Sequence, residues 1–166
     1  MTESKAYHVL FICRENAGRS QLAEALLNHL GHGRFQAHSA GTQPLGHLHP
    51  QAEALLRQVG YDTKGLRSKG LEEFAGADAP FMDFIITVCD DAAGEPCPSW
   101  PGHPVSAHWH FTDPAAVSGS PEVVHQAWHD TLQQIRSRVT LFTALPVAKL
   151  DHASLHREVT GIGAPA

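Results

Sequence analysis

The chain has 166 residues, 42% of them hydrophobic and 17% charged, with a net charge of −5 when its 13 histidines are neutral. That length and composition fit one soluble domain, residues 1–166, with a core of its own. The negative balance argues against nucleic acid or an anionic membrane as a partner, and the apolar runs are too short to span a bilayer. Residues 1–6 carry no signal-peptide pattern, so the cytoplasm is expected; a monomer is the default.

Residues 7–12 read as a first strand that ends at Cys13. Five residues follow, Arg14-Glu15-Asn16-Ala17-Gly18, then Arg19-Ser20 and a helical segment over 21–30, stopped by Gly31-His32-Gly33. A strand, a tight loop and a helix N-terminus turn several backbone N–H groups toward one point. The helix dipole adds partial positive charge there. Residues 14–20 thus form a cradle for a tetrahedral oxyanion, with Cys13 at its mouth. The same field favours the thiolate, the nucleophilic form. Arg19 forks onto two anion oxygens, and Ser20 is placed to hydrogen-bond the thiolate. Gly18 eases the turn, and Asn16, tolerant of a left-handed backbone, braces it. Glu15 is the odd member: a carboxylate suits an anion loop only when it points outward, and Arg14 beside it compensates.

Residues 34–40 give a second strand, which runs into Ser39-Ala40-Gly41-Thr42 and a turn-rich piece up to Pro50. Ala52, Leu55, Leu56 and Val59 share one face of a helix over 51–59, ended by Gly60. Residues 62–69 read as a polar linker or lid, and 71–74 as a short helix. Residues 83–88, Asp-Phe-Ile-Ile-Thr-Val, form a continuous apolar, β-branched inner strand. A further strand is expected over 105–111. A long helix spans 122–143, opened by Ser120 as cap and Pro121 as first residue, and a closing helix spans 148–159. The alternation implies an α/β, three-layer sandwich around a central, mainly parallel four-stranded sheet, with the Cys13 loop at its carboxyl edge.

Three cysteines make an odd count, which argues against a structural disulfide framework and for chemistry. Cys89 follows the inner strand directly, on the edge that carries Cys13 if the sheet is parallel. Cys97 lies eight residues on, past a loop containing Gly94 and Pro96. The pair suggests a relay in which Cys89 attacks Cys13 and Cys97 then attacks Cys89. The plainer alternative makes Cys89 a small buried hydrophobe and Cys97 an incidental loop residue. His47 with His49, and His108 with His110, each share one face of an extended segment, but no third ligand stands at matching spacing. Packing or surface roles are expected, and no metal.

The loop from Cys13 to Ser20 resembles that of the low-molecular-weight protein tyrosine phosphatases and of the arsenate reductases that share their fold. The resemblance runs in motif order from Val9 to about Pro146. It implies that the Ser-Ala-Gly-Thr segment lies behind the anion loop, with Ser39 supporting Asn16. It implies that Asp113, in Asp113-Pro114, protonates the leaving oxygen, a step that needs a proton donor in any case. Phosphatases that accept tyrosine phosphate carry an aromatic residue after that Asp-Pro. Here Ala115-Ala116 follow, leaving Trp109 or Phe111 as substitutes. Gln21 after Arg-Ser, and Thr-Val-Cys89-Asp with a nearby Cys97-Pro, look like the reductase branch.

The resemblance therefore implies an arsenate reductase with Cys13, Arg19, Cys89, Cys97 and Asp113 as its catalytic set. It implies no bound cofactor and an external thiol reductant, thioredoxin or glutathione with glutaredoxin, with phosphate as competing anion. A phosphatase using Cys13, Arg19 and Asp113 alone is the competing reading. An oxyanion-binding regulatory module is the non-enzymatic one.

Overall fold

β1 (Tyr7–Cys13) sits inside the sheet, and from Val9 onward every one of its residues is buried, as a strand covered on both faces requires. The computed structural model describes residues 6–61, 63, 65–74, 81–88 and 104–163. β2 (Phe35–Gly41) pairs with one edge of β1, in register from Tyr7↔Phe35 to Cys13↔Gly41. β3 (Phe84–Thr87) pairs with the other edge from Val9↔Phe84 to Ile12↔Thr87, and β4 (Val105–His108) pairs with β3. All three pairings are parallel and the order is β2-β1-β3-β4.

The helices are α1 (Arg19–Leu30), α2 (Pro50–Gln58), α3 (Pro121–Thr143) and α4 (His152–Ile162). Alternate residues of β1 feed two clusters. Val9, Phe11 and Cys13 meet Leu22, Leu26, Trp128, Leu132 and Phe142 on the helical side. Leu10 and Ile12 meet Ala40, Met82 and Ile85 on the other, with Leu71 and Phe74 of the one-turn segment Leu71–Phe74 against them. The fully buried Phe11, Phe84, Trp109, Trp128 and Phe142 each contribute about 1.5–3 kcal/mol by leaving water.

Local chemistry explains where the elements begin and end. α3 starts as its sequence predicts: Ser120 accepts the N–H of Val123 and Pro121 takes the first position. α4 is capped by Asp151, which accepts from Ser154. It therefore starts later than expected, and residues 147–149 form a separate short turn. β4 ends at His108 rather than at residue 111. The Trp109 backbone N–H still donates to the carbonyl of Thr87, the last residue of β3, at 2.7 Å, and its indole donates to the carbonyl of Val159 in α4 at 2.9 Å. No described helix is long and apolar enough to cross a membrane.

The candidate oxyanion site

The segment from Cys13 to Ser20 crosses from β1 into α1, which starts at Arg19, two residues earlier than the sequence suggests. The loop's carbonyls are held from behind. Cys13 O accepts from Thr42, Arg14 O from Gln43, Glu15 O from Leu45 and Ala17 O from His49, at 2.8–3.2 Å. Asn16 O accepts from Gln21 Nε2, and Gly18 O from Leu22. A trans peptide points its C=O and N–H in opposite directions, so tying the carbonyls outward turns the N–H groups of residues 14–19 inward. α2, α3 and α4 each carry a side-chain N-cap, whereas α1 has none. The positive end of its dipole faces the loop.

Two glycines allow the close packing this needs. Gly18 lies against Trp128. A Cβ on it would stand 2.9 Å from the ring of Trp128. At Gly41 a Cβ would stand 2.6 Å from the carbonyl oxygen of Arg14, so the Ser-Ala-Gly-Thr segment lies directly against the loop.

Asn16 takes a left-handed backbone, φ +50°, and is fully buried. Its Nδ2 donates to Ser20 Oγ at 2.8 Å, and Ser20 Oγ lies 2.8 Å from Cys13 Sγ. With one lone pair occupied by Asn16, the hydroxyl has its proton available for the sulfur. Asn16 Oδ1 accepts from the Lys69 backbone and from Gln21 Nε2, which also reaches Arg67 O. The side chain of Gln21 thus fastens the loop to residues 67–69. Ser39 does not reach Asn16: its hydroxyl donates to Glu24 at 2.7 Å, correcting the expected support. Glu24 and Lys69 form a buried pair at 3.7 Å behind the loop. Burial pushes the Glu24 carboxyl up and the Lys69 amine down, each toward neutrality, while their mutual attraction opposes both shifts.

Arg19 is buried, and Nη1 donates to the Phe111 carbonyl at 3.1 Å while Nη2 lies 3.6 Å from Asp113 Oδ2. Asp113 caps the turn Pro114–Ala116 by accepting from Ala115. One pocket of about 160 Å³ gathers Cys13, Arg19 and Asp113, with Ala115 and Ala116 on its wall and the exposed Arg14 and Glu15 at its border. That is below the ~300–1,000 Å³ typical of drug-sized ligands.

The aromatic part of the wall is not the expected one. Trp109 and Phe111 are buried in the core. Trp128 from α3 and His49 from the cap of α2 line the pocket instead, their rings 4.6 Å apart between centroids and tilted by 35°. The sequence carried a partial signal for each. Trp128 falls on the buried stripe of α3 with Thr131, Leu132 and Ile135, and His49 precedes a helix-opening Pro50. Neither signal points to a pocket. Of the paired histidines, His108 bonds Thr87 Oγ1 through Nδ1 at 2.8 Å. Cys89 and Cys97 lie outside the described residues. Val88 just before them donates to Ile12 O, beside the end of β1.

A profile of the low molecular weight phosphotyrosine protein phosphatases matches residues 8–159. The chain belongs to this family. Within it, the chain is 32% identical over 134 residues to an arsenate reductase of Shouchella clausii (strain KSM-K16), covering 81% of this chain and 93% of that one. It is 33% identical over 110 residues to a glutaredoxin arsenate reductase of Synechocystis sp., covering 66% and 80%. The crystal structure of an arsenate reductase from Archaeoglobus fulgidus superimposes with a TM-score of 0.67 at 26% identity, covering 82% of this chain and 99% of that one.

Proposed function

We propose that this family member is an arsenate reductase, converting arsenate to arsenite at Cys13 with electrons from an external thiol. The observation that carries the reading is the grouping of Cys13, Arg19 and Asp113 around one small pocket whose wall after Asp113-Pro114 is alanine. Arsenate occupies the cradle of inward N–H groups and the Arg19 fork, where fixed donors face its negative oxygens. The Cys13 thiolate attacks arsenic, Asp113 gives its proton to the departing hydroxide, and water leaves. Ser20 holds the sulfur, and Asn16 holds Ser20.

The adduct is resolved by a second thiolate, for which Cys89 is the candidate. It attacks Cys13 Sγ, an S–S bond forms, the S–As bond breaks, and its electron pair leaves with arsenic as arsenite. Cys97 then attacks Cys89 in a three-cysteine cycle, or an external thiol does so in a two-cysteine cycle. Thioredoxin serves the first, and glutathione with glutaredoxin the second. The cycle uses the chain's own thiols, acts as a monomer with phosphate as competitor, and suits the reducing cytoplasm. To test it, one equivalent of arsenate is added without reductant and disulfides are mapped by mass spectrometry. A Cys13–Cys89 or Cys89–Cys97 disulfide formed with one arsenite per chain is expected. An unchanged three-thiol protein would contradict the relay.

A phosphatase reading has one observation in its favour, the neighbouring rings of Trp128 and His49 on the pocket wall, which offer a surface to an aryl ring. It predicts hydrolysis of aryl phosphates that needs Cys13 and is unchanged in Cys89→Ser.

A further inference from the structure

His49 carries two tasks on one ring. Its Nδ1 accepts the N–H of Gln51 at 3.1 Å and so caps α2. An acceptor nitrogen carries no proton, so in the neutral ring the proton sits on Nε2. Nε2 has no hydrogen-bond partner among the described residues, although the ring lines the pocket of Cys13. The residue is held in place. Its backbone N–H bonds Ala17 O inside the anion loop, its ring lies 4.6 Å from that of Trp128 at a tilt of 35°, and Pro50 follows it as the first residue of the helix. The pocket thus contains a rigid neutral donor that the cysteine, arginine and aspartate chemistry leaves unused.

We propose that His49 is a further substrate-binding residue, donating its Nε2–H to an arsenate oxygen that Arg19 and the loop amides leave free. The inference rests on the oxyanion reading of the site. Burial holds the ring below its ordinary titration range, with His47 acting in the same direction and the carboxylates of Asp113 and Glu15 acting against it. At neutral pH the ring is therefore uncharged, with Nδ1 free to cap and Nε2–H free to donate. A doubly protonated ring would lose the cap. The same residue therefore couples the seating of α2 to the filling of the pocket, and it favours a compact oxyanion whose outer oxygens are all acceptors. A phosphate ester has its fourth oxygen occupied by carbon and offers a poorer acceptor there.

Two substitutions separate the tasks. His49→Asn keeps an acceptor near Nδ1 and removes the donor. His49→Gln keeps an N–H near Nε2 and removes the cap. Arsenate KM and kcat, the Kd of inorganic phosphate by calorimetry, and Tm are measured for both and for wild type. His49→Asn is expected to raise KM and Kd about tenfold, with kcat within about twofold and Tm unchanged. His49→Gln is expected to keep KM and Kd within about threefold and lose about 2–4 °C in Tm. A wild-type phosphate Kd in His49→Asn, or equal weakening by both variants, would overturn the proposal. If wild type makes no arsenite yet phosphate binding follows this pattern, the reductase reading fails while His49 stands as an oxyanion ligand.

Discussion

Arg19 Nη2 stands 3.6 Å from Asp113 Oδ2, so the proposed anion clamp faces the proposed proton donor. The separation exceeds a charge-assisted hydrogen bond, about 2.7–2.9 Å, and the guanidinium is anchored by the Phe111 carbonyl rather than by the carboxylate. In the proposed reaction an arriving oxyanion competes for Arg19 and leaves Asp113 beside the departing oxygen. Asp113→Asn is expected to slow arsenite formation by about 10²–10⁴-fold, the usual worth of a positioned acid, while phosphate Kd changes by less than about threefold. Arg19→Lys removes the fork and is expected to weaken phosphate binding by at least about tenfold. Calorimetry and initial rates on both variants separate clamp from acid.

The chain Asn16–Ser20–Cys13 predicts an effect on thiol reactivity. Ser20→Ala leaves Asn16 Nδ2 buried without its acceptor and removes the proton available to Cys13 Sγ. Alkylation of Cys13 by iodoacetamide at neutral pH is expected to slow about 5–10-fold, in line with ~1 kcal/mol for one hydrogen bond. Stability is expected to fall by about 1–3 kcal/mol. An unchanged alkylation rate in a folded variant would show that the hydroxyl does not assist the sulfur.

Behind the loop, Glu24 and Lys69 should behave as a buried pair. Lys69→Met alone leaves the carboxylate uncompensated and is expected to cost about 3–5 kcal/mol in urea unfolding. Adding Glu24→Gln should restore part of that. Additive losses would mean that the two groups are not coupled.

The histidine pair His8 and His38 sets a pH dependence on the opposite face from the helices. The rings stack with centroids 5.2 Å apart and His8 Nδ1 lies 3.0 Å from His38 Nε2, with Phe74 on the other side. Burial first, then the charges of His8 and Lys69, push His38 down to about 4 from 6.5. The unfolded chain therefore binds a proton that the folded chain refuses between those values. Stability rises with pH from about 4 to about 6.5 and is flat above. The half-buried site makes this worth about 2 kcal/mol. Urea midpoints at pH 5 and 7.5 should differ in wild type and converge in His38→Gln.

What was legible in the sequence was what is local. The run Val9–Cys13, the helical run from Gln21 and the Ser120-Pro121 cap each state their structure within a few residues, and the elements appear at or near those positions. β4 ends earlier than its sequence run suggests, and the indole of Trp109 just beyond it bonds the distant Val159 carbonyl. The pocket wall was not legible. Trp128 reaches Gly18 across 110 residues of chain, and the reason for that glycine is visible only once the ring lies on it. Ser39 was misassigned because a hydroxyl at a strand end fits Asn16 and Glu24 equally well until packing puts Glu24 beneath it.

The most direct test is arsenite production from arsenate by the full chain, offered thioredoxin with its reductase or glutathione with glutaredoxin in separate assays. Sustained turnover with one of the two donors, abolished in Cys13→Ser, is the predicted result. No arsenite with either donor, alongside robust Cys13-dependent hydrolysis of an aryl phosphate, would contradict the reductase account and replace it with a phosphatase.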